Sequence, residues 1–134
     1  MKNETEIWLK YSLENLESAR VLLQNNLFNP CLQNVQQSVE KSIKALLIEN
    51  SEKAKKTHSI SELNNFLAKK NTRIGISVED CEFLDSVYLP SKYPLGNVLP
   101  FYEPDKEICG KGISIAKNVF KNINEELLGK YEEE

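Results

Sequence analysis

The sequence predicts an all-α fold: an antiparallel up-and-down helical bundle of four longer helices plus one short helix. Two observations carry this. Apolar residues recur at spacings of three and four through most of the chain, and four of its five prolines fall between residues 90 and 104, leaving the rest free to be helical. The 134 residues suit one domain with one core, with a tail over 129–134 expected to fray.

The first helix is expected over Thr5–Asn25, where Leu9, Leu13, Leu16, Ala19, Leu22 and Leu23 form the inner stripe and Thr5 can cap. Asn29 then suits an N-cap and Pro30 a first helical position, because the N–H that proline lacks would be unpaired there anyway. The second helix carries Leu32, Val35, Val39, Ile43, Leu46 and Leu47 on one face and ends near Asn50. At about 100° per residue, Gln36 falls inside that stripe and Glu40 at its margin, while Lys41 points away. A buried Gln36 needs hydrogen-bond partners, since an unpaired amide costs about 1–3 kcal/mol.

A lysine-rich loop, 51–58, leads to Ser59-x-x-Glu62, a capping box that opens a helix with Ile60, Leu63, Phe66 and Leu67 inward. Asn71–Gly75 break it. Ser77-x-x-Asp80 starts a short helix bearing Cys81, Leu84, Val87 and Tyr88, which Leu89-Pro90 should stop. The proline-rich stretch to Pro104 is the one long irregular loop; its Tyr93, Phe101 and Tyr102 either serve a function or cover the bundle's end. The last helix is expected from Pro104 or Asp105 to Leu128, with Ile108, Ile115, Ala116, Val119, Ile123 and Leu127 inward. Gly110 and Gly112 weaken its start and fit a close approach of another backbone.

Composition excludes several classes. No apolar run reaches the ~20 residues of a membrane span, and the start MKNETEIW lacks a signal peptide's apolar stretch, so a cytoplasmic protein with no membrane contact is expected. Cys31, Cys81 and Cys109, odd in number and widely spaced, with one histidine in the chain, argue for buried structural thiols and against a disulfide scaffold or a metal site. No cofactor is expected either: Gly110-Lys111-Gly112 lacks a P-loop's strand and spacing. A net charge of −3 argues against a constitutive nucleic-acid binder. Yet residues 41–73 hold eight Lys/Arg against three Asp/Glu, which is either a solvated basic segment or a positive end of the bundle.

Three segments in order, Gln36-Gln37-Ser38-Val39-Glu40-Lys41-Ser42-Ile43-Lys44-Ala45-Leu46-Leu47, Lys56-Thr57-His58-Ser59-Ile60, and Tyr88 followed by Ser91-Lys92-Tyr93-Pro94, together resemble the HEPN family of small prokaryotic helical domains. The resemblance covers essentially the whole chain. It implies a homodimer, a possible nucleotidyltransferase partner encoded nearby, and a nucleotide or RNA as possible ligand. The wider clan includes metal-independent ribonuclease toxins that carry Arg, four to six residues, then His. Here His58 is the only candidate proton carrier, and no arginine stands at the required distance; the nearest imitation is Lys53-x4-His58. Lys92 likewise stands where the family has arginine, keeping the charge but losing the planar fork that grips phosphate bidentately. The expected function is therefore a binding module, nucleotide-, RNA- or partner-binding in a toxin–antitoxin-like context, with a ribonuclease using His58 or a purely structural interaction bundle as alternatives. Ligand-binding candidates are Lys41, Lys44, Lys53, His58, Lys92 and Tyr93, set against a hydrated lysine face; Gln36 and Glu40 are read as structural polar residues.

Overall fold

The computed structural model describes residues 1–53, 56–93 and 103–132. Five helices follow in order: α1 Asn3–Gln24, α2 Phe28–Glu49, α3 Ile60–Lys69, α4 Val78–Lys92 and α5 Lys106–Glu132. The all-α antiparallel bundle is as expected, except that the shortest helix is α3, with 10 residues, and not α4, with 15. α2 lies at the centre and packs on all four others. Leu32, Val35, Val39, Ile43 and Leu46 are fully buried there, which is why its stripe was the plainest in the sequence.

α1 lies antiparallel to α2, tied at the open end by Glu49. Its Oε1 accepts from the Lys2 backbone N–H and from Thr5 Oγ1, both at 2.9 Å. Thr5 is therefore not the N-cap; Lys2 holds that position and the threonine hydroxyl is bonded to α2. A second difference is that Leu13 is 42% exposed, whereas Ser12 is fully buried. Ser12 Oγ donates to the Ser38 carbonyl at 2.7 Å and lies 2.6 Å from Ser42 Oγ, so three small hydroxyls let the two helices meet closely where a leucine would hold them apart.

The turn between α1 and α2 is a Schellman motif with Asn26 at φ 60°: Leu27 N–H donates to the Leu22 carbonyl and Asn26 N–H to that of Leu23. It delivers Phe28 directly into helix, which corrects the expected cap at Asn29. Leu27 is the N-cap, and Pro30 sits two positions further in than expected, still in the first turn where no intrahelical N–H partner is lost. Ser51 (φ 59°) and Asn71 (φ 60°) close α2 and α3 in the same way.

α4 corrects the reading of Leu89-Pro90 as a stop. The helix continues through Pro90 to Lys92 because its last turn is held from outside. Gln33 Nε2 on α2 donates to the Ser91 carbonyl at 2.7 Å, and Ser91 Oγ donates to the Tyr88 carbonyl at 2.6 Å. The irregular stretch thus starts at Tyr93, and residues 94–102, with Phe101 and Tyr102, lie outside the described residues.

Asp105 caps α5, its Oδ1 accepting from Ile108 N–H at 2.8 Å. Ile115, Ala116, Val119, Ile123 and Leu127 are buried as expected, Ile108 only partly, and the helix runs on to Glu132. At Gly112 a Cβ would lie 3.2 Å from Val35 Cγ1, so the close neighbour is a side chain and not a backbone; around Gly110 there is open space.

Candidate functional site

The site grows from two polar residues one turn apart on α2. Gln36 is 1% exposed, and its Nε2 donates to the backbone carbonyl of His58 at 2.7 Å. Glu40 is 2% exposed; its Oε1 lies 2.6 Å from His58 Nδ1 and its Oε2 accepts from Lys44 Nζ at 3.0 Å. The loop from α2 to α3 is thereby pinned at His58 by backbone and ring together. Among the described residues Gln36 Oε1 has no hydrogen-bond partner.

From the other side, α4 grips the start of α3. Asp85 Oδ1 accepts from Ile60 N–H at 2.8 Å, and Oδ2 accepts from Ser59 Oγ and Ser61 N–H, each at 3.0 Å. Ser59 Oγ also accepts from Glu62 N–H, as its capping-box pattern requires. Two orphan donors of the helix end are thus met by a carboxylate from a neighbouring helix, which the positive end of the α3 dipole favours.

Between these grips lies a cleft of about 270 Å³ lined by His58, Ser59, Asp85, Tyr88, Leu89, Lys92 and Tyr93. Residues 85, 88, 89 and 92 form one face of α4. The Lys92 ammonium sits 5.6 Å from the ring centroids of both Tyr88 and Tyr93, and 3.5 Å from the Tyr88 hydroxyl. That hydroxyl, with the charge it and Tyr93 can carry, pushes the Lys92 pKa up, so the group stays cationic. The His58 ring lies 6.1 Å from that of Tyr88 and is tilted 38° to it.

Of the ligand candidates, His58, Lys92 and Tyr93 come together in this cleft. Lys41, Lys44 and Lys53 are not among its lining residues. Lys41 Nζ donates to Asn15 Oδ1 at 2.8 Å and lies over the Tyr11 ring; Lys44, with a side chain 14% exposed, pairs with Glu40 and lies over Trp8. Lys53 is exposed on the loop. Sequence reasoning passed over Ser59, Asp85, Tyr88 and Leu89 as site residues. For the last three, the helical spacing to Lys92 carried the signal, hidden by ending the helix at Pro90. Among the described residues no group of His, Cys, Asp and Glu is arranged to hold a metal, and no helix is long and apolar enough to cross a membrane.

A family model, that of the HEPN domain, matches residues 5–127. The chain belongs to the HEPN family. Two solved structures resemble this HEPN chain. TT1696 from Thermus thermophilus has a TM-score of 0.76 at 22% identity, covering 92% of this chain and 98% of its own. ST0689, an archaeal HEPN homologue, has a TM-score of 0.69 at 24% identity, covering 94% and 98%. At these identities the likeness shows the HEPN fold. No curated protein matches the chain.

Proposed function

We propose that this HEPN chain is a homodimeric binding module whose cleft takes a nucleotide, free or within an RNA, without cleaving it. The observation that carries the reading is one small cleft in which the half-exposed Tyr93 ring and the exposed Lys92 ammonium stand together over the buried Tyr88, with His58 lining the same cleft. Aromatic faces stack bases whatever their sequence, and a lysine meets phosphate as a point charge. The volume, about 270 Å³, suits a single nucleotide unit better than a larger ligand. A second copy of the chain would wall the open side, and a nucleotidyltransferase partner in a toxin–antitoxin-like pair is the proposed setting.

Cleavage is the second reading, a metal-independent endoribonuclease toxin using His58. The short contact between Glu40 and His58 favours it, because a carboxylate behind an imidazole is an arrangement that supports proton transfer. Against it stands the missing arginine; Lys53, its nearest imitation, is exposed and not among the residues lining the cleft.

Titration calorimetry with ribonucleoside monophosphates tests the binding reading. Saturable binding is expected, with a melting temperature that rises with nucleotide concentration. A melting temperature unmoved by any nucleotide would leave a purely structural bundle. RNA cleavage without metal that is lost in His58→Ala would replace the binding reading by the second one.

A further inference from the structure

The polar network around His58 has an unusual division of exposure. The Glu40 side chain is 3% exposed, whereas that of His58 is 62% exposed. A histidine that only stabilises a fold is more economically buried with its partner, and burying a carboxylate carries a desolvation cost that apolar residues would avoid. Here the costly half is hidden and the imidazole is left open on the wall of a cleft. Its backbone is fixed as well, by Gln36 at its own carbonyl and by Asp85, which accepts from the Ser59 hydroxyl and from the Ile60 and Ser61 N–H groups.

The chemistry of the contact assigns the proton. A carboxylate oxygen paired with a lysine accepts hydrogen bonds and donates none, so the His58 nitrogen 2.6 Å from Glu40 Oε1 is the one that carries hydrogen. In the neutral ring Nε2 is then an acceptor. Among the described residues it has no hydrogen-bond partner.

We propose that Glu40 is the positioning residue of the cleft: it holds His58 in the Nδ1–H tautomer so that Nε2 accepts a hydrogen bond from a ligand hydroxyl. This inference rests on the nucleotide-binding reading, in which the hydroxyls offered are those of the ribose. It separates two tasks within the cleft, with Lys92 serving the charge of the ligand and His58 serving a neutral donor on it. Lys44 completes the arrangement by occupying the second oxygen of Glu40, which leaves Oε1 for the imidazole.

His58 is the only histidine of the chain, so its ring nitrogens can be observed without assignment of others. In alkaline buffer, nitrogen-15 spectra of the wild-type ring are expected to show hydrogen on Nδ1, and Glu40→Gln, whose amide can donate as well as accept, is expected to give a mixture of tautomers. Wild type should bind a ribonucleoside monophosphate about fivefold to tenfold more tightly than its dideoxy counterpart, the worth of one hydrogen bond. Glu40→Gln should shrink that preference in proportion to the share of rings that carry hydrogen on Nε2, while the dideoxy nucleotide, which offers His58 no sugar hydroxyl, binds as before. If Glu40→Gln does not fold, His58→Asn replaces it: its amide nitrogen takes the place of Nδ1, nothing takes that of Nε2, and the preference should vanish while the melting temperature holds.

Hydrogen on Nε2 in the wild type overturns the proposal. So does equal binding of the two nucleotides, and in that case the nucleotide-binding reading survives because both still bind. Binding of neither nucleotide overturns that reading and the hydroxyl contact with it, whatever the tautomer.

Discussion

At the scale of single residues, the cleft's cation is the most exposed to test. Lys92 is held between two tyrosine rings, and if it meets a phosphate, Lys92→Ala should weaken nucleotide binding about tenfold by calorimetry, the worth of one hydrogen bond to a charged group. Lys92→Arg should bind at least as tightly as wild type, since the guanidinium adds a second parallel hydrogen bond. The thiols make a different prediction. Burial, then the neighbouring Cys109, pushes Cys31 up to about 12; burial, then Asp85, pushes Cys81 up to about 11. Their neutral forms are favoured by the fold, so between the ordinary thiol value of 9.0 and these values the native state keeps protons that the unfolded chain releases. Stability from this source is complete below about pH 9 and is lost as pH rises towards about 12. Urea midpoints measured from neutral to alkaline pH should fall from about pH 9 upward, and the fall should shrink in Cys31→Ala, whatever offset the smaller side chain adds at neutral pH.

At the scale of elements, what was legible in the sequence was local, and what was not depended on another helix. Ser59, Ser77 and Asp105 cap their helices as their patterns imply, because a cap is settled within four residues. Thr5 and Leu13 were misjudged because of residues far along the chain: Glu49 claims the Thr5 hydroxyl, and Ser38 and Ser42 draw Ser12 inward in place of the leucine. Pro90 was misjudged for the same reason, with Gln33 supplying the hold. The two glycines of α5 turn this distinction into a measurement. Both cost helix propensity, but a methyl at Gly110 enters open space while one at Gly112 meets Val35 Cγ1 at 3.2 Å. Gly110→Ala should therefore stabilise by about 1 kcal/mol in denaturant titration, and Gly112→Ala should gain markedly less or lose stability, as Val35 has to shift inside a packed core.

At the scale of the molecule, the position of the cleft could be anticipated only in part. His58, Lys92 and Tyr93 were candidates on residue type and resemblance, but nothing local in the sequence separates them from Lys41 and Lys44. That sorting follows from α2 lying at the centre of the bundle: one flank pairs its lysines with Asn15 and with Glu40, and the other faces α4 and the cleft. The local excess of positive charge over residues 41–73 is correspondingly smaller than its count suggests. Lys44 is neutralised by Glu40, an acid that lies just outside the segment and so outside that count. The chain's net charge is −3, and in the cleft one cation, Lys92, is set against the Asp85 carboxylate, so the proposed ligand would meet a single phosphate contact there and not a phosphate track. The consequence is measurable in salt. Each backbone phosphate of a single strand that is neutralised contributes about −0.7 to the slope of log K against log salt. Single-stranded RNA bound through the cleft should give a slope of about −0.7 for each Lys92 contact. It should flatten in Lys92→Ala. A slope several times steeper that is untouched by Lys92→Ala would move the binding surface away from the cleft, to the exposed Lys53, Lys56 and Lys69 beside it in sequence.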